Sequence, residues 1–165
     1  MPTEMRPELG VHVPEGPLSS LLLQVVRAHA ALAGALLDEL GLVAPQEVVL
    51  LHLDDHGAVP QPDLVRFLNR DRSTVTATLQ ALERAGLVVR VSSTVDRRSR
   101  EVRLTEAGRR LCPRIRRAWA ELERQTFGAL SEEDRAATAA TLRRVRDAAR
   151  ARLDEGHTGT EDGHG

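Results

Sequence analysis

The spacing of apolar residues along the chain predicts a protein built mainly from helices. From residue 18 to residue 40, Leu, Val and Ala recur every three or four positions, which places them on one face of a helix. The same spacing predicts further helices over residues 45–57, 61–68, 71–85, 106–127 and 131–153. The predicted fold class is therefore mainly α.

Residues that favour helix ends stand at these predicted boundaries. Gly41 supplies a stop for the first helix, and Asp71 is an acceptable N-cap for the fourth. Residues 131–134 resemble a capping box in which Asp replaces the usual Glu or Gln. Pro113 lies inside the fifth helix, where it removes one backbone hydrogen bond, so we expect it to bend or divide that helix.

After Gly86 the apolar spacing changes from helical to alternating. Val89 and Val91 fall on one side of a first strand, and Val102 and Leu104 on one side of a second. The intervening residues, 92–99, are polar apart from Val95. This pattern predicts a β-hairpin whose tip carries Asp96, Arg97 and Arg98.

The two ends of the chain lack hydrophobic periodicity. Residues 1–17 hold four prolines and are expected to form an extended, flexible arm, and the Gly-rich residues 154–165 are expected to be disordered. The predicted organisation places a dimerisation helix at 18–40, a DNA-binding module at 41–105 and two more dimerisation helices within 106–153.

Composition narrows the class of protein. The 24 Leu and 21 Ala residues favour helices, and a lone Cys112 excludes both a disulfide framework and a multi-cysteine zinc site. No apolar run approaches the ~18 residues of a membrane span, and the first residues lack the basic-then-apolar order of a signal peptide. We expect a cytoplasmic protein without a membrane partner.

Charge is concentrated in the middle of the chain. All 23 basic residues are Arg, and the formal net charge is only −1. Residues 66–117 hold 14 Arg and 5 acidic residues, a net +9, between flanks of −7 and −3. A basic segment of this kind can bind a polyanion while the whole chain stays near neutral, although a solvated Arg-rich surface would give the same counts.

Three helices followed by a hairpin is the order of a winged helix-turn-helix. The fourth predicted helix, 71–85, has one apolar stripe and one face of small polar side chains that can approach DNA closely. That helix would enter the major groove, about 12 Å wide, and the hairpin would reach the adjacent minor groove. The long terminal helices have apolar stripes that this module cannot cover, which predicts a homodimer.

Two stretches resemble the MarR family of bacterial transcriptional regulators. D-R-R-S-R-E-V-R-L-T-E-A-G at residues 96–108 is similar to the family's wing signature, and D-R-S-T-V-T at 71–76 with L-E-R-A-G-L-V at 82–88 is similar to its recognition helix and exit. Gln46 matches the opening of the second helix. The resemblance extends over residues 18–153.

The resemblance implies an obligate dimer that binds pseudo-palindromic double-stranded DNA, with Arg98 in the minor groove and Asp96 orienting the wing arginines. Ala77 departs from the family, since many members carry Arg there, and this favours wing and shape readout over base contacts. The candidate DNA-contacting residues are Arg72, Ser73, Thr74, Thr76, Ala77, Gln80, Arg90, Asp96, Arg97, Arg98 and Arg100.

The resemblance also implies a cavity between the dimer helices and the winged module that binds small, often phenolic, anions. The candidate effector-binding residues are His29, His52 and Arg109. His29 lies on the apolar stripe of the first helix, so it is either a satisfied core histidine or a group in that cavity.

A metal site and an oxidant-sensing thiol are alternative interpretations of individual residues. His52 and His56 have metal-ligand spacing, but the sequence nominates no third ligand, so a polar helix end is favoured and no metal is expected. Cys112 is expected to be a buried small hydrophobe and not an oxidant sensor.

Catalytic motifs such as the P-loop are absent, so neither an enzyme nor a cofactor is expected. A MarR-like carrier or protein-interaction module without DNA binding is the alternative.

Overall fold

The protein is described here from a computed structural model over residues 11–92 and 100–158, and it divides into two compact units, Met1–Leu122 and Glu123–Gly165. The elements are α1 (Pro17–Asp38), α2 (Gln46–His56), β1 (Val59–Pro60), α3 (Gln61–Leu68), α4 (Arg72–Arg84), β2 (Val88–Ser92), β3 (Arg100–Leu104), α5 (Glu106–Phe127) and α6 (Glu132–Thr158). The prediction of a mainly helical chain with a small β-wing is confirmed.

One hydrophobic core holds the winged module together. Its fully buried members come from α2, α3, α4, β3 and the first half of α5: Val49, Leu50, Leu53, Leu64, Val75, Leu79, Leu82, Val102, Cys112 and Ile115. Burying each large aliphatic side chain contributes about 1.5–3 kcal/mol. Because α5 shares this core, its first half is fixed to the winged module.

The sheet has the strand order β1-β3-β2, and both pairings are antiparallel. Val88 pairs with Leu104 and is buried, whereas Val89 is exposed. Val89 and Val91 therefore share one side of β2, as predicted, and the inward side is the other one, with Val88. The alternating pattern could not decide this, because Val stands at 88, 89 and 91, and the turn at Gly86 (φ 70°) selects Val88.

Side-chain caps define where the helices of the module begin. The backbone N–H of Thr74 donates to Asp71 Oδ1 over 2.8 Å, and that of Gly108 donates to Thr105 Oγ1 over 3.1 Å. Thr105 Oγ1 also donates to the carbonyl of Gly86 over 2.6 Å, which ties α5 to the end of α4. The predicted cap at Asp71 is confirmed.

Of the two effects predicted for Pro113, a bend or a division of the fifth helix, the division is wrong. α5 runs without a break from Glu106 to Phe127. A proline inside a helix costs about 3 kcal/mol through its missing hydrogen bond and its steric clash. Here Cys112 and Ile115, on either side of it, are fully buried, so core packing offsets that cost and the helix continues.

Both ends of the chain are more ordered than expected. The backbone N–H of Val13 donates to Ser20 Oγ over 3.0 Å, and Gln24 Nε2 donates to the carbonyl of Val11 over 3.1 Å, so residues 11–16 are attached to α1. α6 continues to Thr158, five residues past the predicted boundary, and Arg152 pairs with Glu155 within this last part. The remaining arm and tail residues lie outside the described ranges.

The apolar face of α1 is largely uncovered. The helix has 22 residues, an 18-residue stretch of it has a mean hydropathy of 1.5, and by length and composition alone it could cross a membrane. This corrects the expectation that no stretch reaches that size. Gln24, Arg27 and His29 interrupt the apolar run, but the mean hydropathy of the 18-residue stretch stays high despite these three residues. Leu18 is 81% exposed, so this face remains free to contact a partner.

Gly108 lets the start of α5 approach the backbone of Leu87, just before β2, and replacing it should destabilise the module. A Cβ at this position would lie 2.2 Å from the carbonyl oxygen of Leu87. We expect Gly108→Ala to lower the free energy of unfolding by about 1–3 kcal/mol through overpacking. Gly34→Ala is the matched control, since a Cβ there meets no atom within 4 Å and Ala favours the helix. Denaturant unfolding would measure both variants, and equal stabilities would contradict this role.

Candidate DNA-binding surface and neighbouring cavity

α4 presents its polar face to solvent because its apolar stripe is anchored in the core. Val75, Leu79 and Leu82 are fully buried at helical spacing. The candidate contact residues on the opposite side are exposed at Arg72, Ser73, Thr74, Ala77 and Gln80 and half-buried at Thr76. This is the placement that insertion into a DNA groove requires.

Asp71 accepts hydrogen bonds from the first two hydroxyl groups of α4. Ser73 Oγ donates to Asp71 Oδ1, and Thr74 Oγ1 donates to Asp71 Oδ2 over 2.6 Å. These bonds, led by that from Ser73, hold the pKa of Asp71 well below its usual range. Each hydroxyl has a single proton, so both must rotate away from Asp71 before they can donate to a phosphate oxygen.

Gln61 supports the recognition helix from α3, although sequence reasoning did not select it. Its Nε2 donates to Thr76 Oγ1 over 3.0 Å. The two residues are 15 positions apart, and only the packing of α3 against α4 brings them together. Gln61 therefore acts as a positioning residue for the middle of α4.

Arg90 is held against α4 instead of facing solvent. Its Nη1 lies 2.5 Å from Glu83 Oε2, and its Nε is buried without a hydrogen-bond partner among the described residues. Val88 and Arg90 share the inner face of β2 because alternate residues of a strand point the same way. The structure thus places this candidate DNA contact in an ion pair.

The arginines at the ends of the surface are better exposed. Arg72 opens α4, and Arg100 opens β3 opposite Ser92. Both are exposed, and neither forms an ion pair with another described residue. Asp96, Arg97 and Arg98 lie outside the described residues, so their role at the hairpin tip stays a prediction.

The three candidate effector residues have separate environments. His29 is half-buried on α1, and Arg109 is exposed on α5, where its Nε lies 3.5 Å from Glu106. His52 stacks on Phe67 and His56, with ring centroids 3.9 and 4.2 Å away. Burial, and then the neighbouring His56 charge, lower the pKa of His52. Among the described residues, no third metal ligand joins the two histidines.

Cys112 is a buried small hydrophobe, as predicted. Its side chain is fully buried and lies 3.3 Å from the carbonyl oxygen of Gly108. Burial raises the pKa of the thiol to about 11, with a smaller contribution from Asp54. The thiolate needed for reaction with oxidants is therefore scarce at neutral pH.

A small cavity lies where α1, α2 and α5 meet. Its volume is about 20 Å³, and its walls are Ala33, Leu36, Leu37, Glu47, Ala118, Trp119 and Leu122. Glu47 is the one ionisable residue in this lining. It is 6% exposed, and its Oε2 has no hydrogen-bond partner within the part of the chain that the structure describes.

The environment of Glu47 disfavours its charged form. Burial raises its pKa, and the backbone N–H groups of Glu47 and Val48 at the start of α2 offset this only in part. Sequence reasoning missed this residue, because an acidic residue in the first turn of a helix is ordinary at a surface. Only the packing of α5 and α1 over α2 buries it.

Comparison with known proteins agrees with this architecture. A family model described as MarR family matches residues 42–99. The transcriptional regulator PecS of Dickeya dadantii is 35% identical over 88 residues, covering 53% of each chain. The chain spans about half the length of the first curated relatives that it matches.

Solved structures extend the likeness to most of the chain. BpsR of Bordetella bronchiseptica, whose DNA binding is described as regulated by 6-hydroxynicotinic acid, has a TM-score of 0.73 at 29% identity, covering 84% of this chain and 99% of BpsR. MepR of S. aureus, solved as a DNA complex, has a TM-score of 0.72 at 25% identity, covering 79% of this chain and 97% of MepR.

Three helices and a hairpin wing, with the polar face of α4 exposed, define a winged helix-turn-helix protein. The chain is similar to the MarR family, whose model matches residues 42–99, and the curated relatives that it matches are described as transcriptional regulators.

The buried carboxyl of Glu47 should make stability depend on pH. Because its pKa is higher in the folded state than in the unfolded chain, the charged form is destabilising above the folded pKa, and this effect is lost as the pH falls. We expect Glu47→Gln to raise the free energy of unfolding by about 1 kcal/mol at pH 8. The gain should shrink towards pH 4.

Denaturant titrations at several pH values would test this expectation. Glu39→Gln, at an exposed position after α1, provides the control and should change little at either end of the range. A constant difference between Glu47→Gln and the natural chain at all pH values would contradict the raised pKa.

Proposed function

We propose that this protein is a transcriptional regulator of the MarR type, a repressor that binds double-stranded DNA as a homodimer in the cytoplasm and is released by a small molecule. The observation that carries the proposal is the exposed polar face of α4, supported by a buried apolar stripe, within the basic segment 66–117. The alternative interpretation, a solvated Arg-rich surface, would not require a helix whose polar face is turned outward by a buried apolar stripe.

The DNA contacts follow from the geometry of the module. The first turns of α4 enter the major groove, where Arg72 and the hydroxyls of Ser73 and Thr74 approach phosphates and base edges. Arg97 and Arg98 at the hairpin tip reach the minor groove, and Asp96 orients them. The likeness to MepR in its DNA complex supports this docking. Arg90 has a structural role within the module, because Glu83 already holds it.

A second copy of the chain covers the exposed apolar faces. Leu18, Leu21 and Val26 on α1, and Leu142 and Val145 on α6, are large apolar side chains exposed in the single chain. Segments 18–40 and 106–153 are the proposed dimerisation region. A twofold axis there would present two α4 helices to successive major grooves of a pseudo-palindromic site.

The effector binds near the junction of the dimerisation helices and the winged module. BpsR, whose DNA binding is regulated by 6-hydroxynicotinic acid, supports regulation by a small molecule. His29, His52 and Arg109 remain candidates from the sequence. A ligand releases the DNA only if it binds the DNA-incompetent arrangement more tightly than the competent one.

Selection of bound fragments from genomic DNA tests the proposal directly. Recovered fragments should share an inverted repeat whose half-sites lie about one helical turn apart. A carrier or interaction module that has lost DNA binding would enrich no sequence, and that result would overturn the proposed function.

DNA binding should weaken steeply as salt is added. Each phosphate that the protein neutralises releases condensed counterions, so the logarithm of the affinity falls with the logarithm of salt by about 0.9 per contact. With several arginines from each protomer at the DNA, we expect the affinity to fall by about 10³-fold or more between 50 and 200 mM salt. Fluorescence anisotropy would measure the slope, and a flat line would exclude the phosphate-contact mechanism.

Arg98→Ala should weaken binding to the selected operator by about 1–3 kcal/mol if Arg98 makes a minor-groove contact. Arg152→Ala provides the control, since that exposed arginine pairs with Glu155 on α6, far along the chain from the wing. Anisotropy titrations at one salt concentration compare the two variants. An affinity unchanged by Arg98→Ala, in a protein with native thermal stability, would remove the proposed contact.

A further inference from the structure

The cavity at the meeting point of α1, α2 and α5 contains an unsatisfied acceptor. Glu47 Oε2 is buried without a partner among the described residues, and the other lining residues are Ala, Leu and Trp. A buried acceptor without a donor destabilises the folded state, and more so when it is charged. A ligand that supplies a donor at this point recovers that free energy on binding.

The size of the cavity limits the donor group. Its volume of about 20 Å³ is enough for one water molecule or one head group of the same size. A primary ammonium group has this size and carries up to three N–H donors. A quaternary ammonium is larger and has no N–H, so it neither fits the cavity nor satisfies Oε2.

A larger groove adjoins the cavity and can hold the rest of such a ligand. It has a volume of about 230 Å³ and shares the wall residues Leu36 and Ala118 with the cavity. Its other walls are Glu39, Leu40, Arg114, Arg117 and Glu121. Two acidic and two basic residues leave the groove without net charge, so it does not repel a cation. Trp119, 42% exposed, stands on the cavity wall.

We propose that this site binds a primary amine in its protonated form, with the ammonium group donating to Glu47 Oε2 and a small apolar body lying along Leu36 and Ala118. A charge-assisted hydrogen bond to a carboxylate is about twice as strong as a neutral one, so the amine is favoured over the corresponding alcohol. A carboxylate or phenolate at the same place meets the Glu47 charge and is repelled.

The proposal rests on the proposed function, in that the amine is the effector. Glu47 lies on α2, within the core of the winged module, while the opposite walls belong to α1 and α5. A ligand between them contacts both the DNA-binding module and the helices proposed for dimerisation. Its binding therefore favours one spacing between the module and these helices over the others. This preference supplies the differential affinity that release of DNA requires.

Isothermal titration of the full chain with three matched compounds tests the ligand class. We expect 2-phenylethylamine at pH 7.5 to bind at one site per chain, 2-phenylethanol to bind about tenfold more weakly and phenylacetate to show no binding. Phenylacetate binding as tightly as the amine would overturn the proposal, as would no binding of the amine.

Variants assign the binding to Glu47. Glu47→Gln should weaken amine binding at least tenfold, whereas Asp38→Asn, which removes a nearby acid outside the lining residues, should change it less than twofold. Ala33→Leu leaves Glu47 in place but fills the cavity, and it should also abolish binding. It therefore tests the cavity independently of the charge at position 47. Amine binding unaffected in both variants would overturn the site.

DNA binding is measured separately on the same preparation, so the two proposals can fail independently. A protein that binds the amine through Glu47 but enriches no DNA overturns the proposed function. A protein that binds its operator but ignores the amine overturns the inference alone. If the amine binds through Glu47 and leaves the operator affinity unchanged, the site is not the effector site, and the regulatory part of the inference is overturned.

Discussion

The burial of Val75, Leu79 and Leu82 orients α4, and the rest of the DNA-binding surface depends on that orientation. Helical spacing then directs Arg72, Ser73, Ala77 and Gln80 to solvent without any further interaction. Neighbouring contacts adjust the surface: Asp71 caps the helix, and Gln61 steadies Thr76 from α3. Most of the free energy that positions the polar face therefore comes from apolar packing on the opposite side of the helix.

The same core couples the DNA-binding module to the helices that extend from it. Cys112 and Ile115 of α5 are buried among residues of α2 and α4, and Gly108 lets α5 approach the backbone of Leu87. This packing keeps α5 continuous through Pro113. A displacement of the first half of α5 would consequently displace the whole module, because the two share one core.

Glu47 differs from the rest of the module because its burial costs stability without an evident structural gain. An apolar residue of similar volume would fill the same space between α2 and Trp119 without an unsatisfied oxygen. Sites that reduce stability in this way are often functional. The raised pKa of Glu47 and its position between α1, α2 and α5 are both consequences of that burial, and both are what a ligand with a donor group would use.

Sequence alone was sufficient for the helices, the hairpin, the cap at Asp71 and the polar face of α4, because periodicity and capping are local properties. The resemblance in residues 71–88 and 96–108 was likewise readable without a structure. The tertiary structure decided which face of β2 turns inward, and therefore that Arg90 pairs with Glu83. It also decided that Gln61 supports Thr76 and that Glu47 is buried. These outcomes depend on residues distant in the chain, and a local pattern carries no information about how distant segments pack.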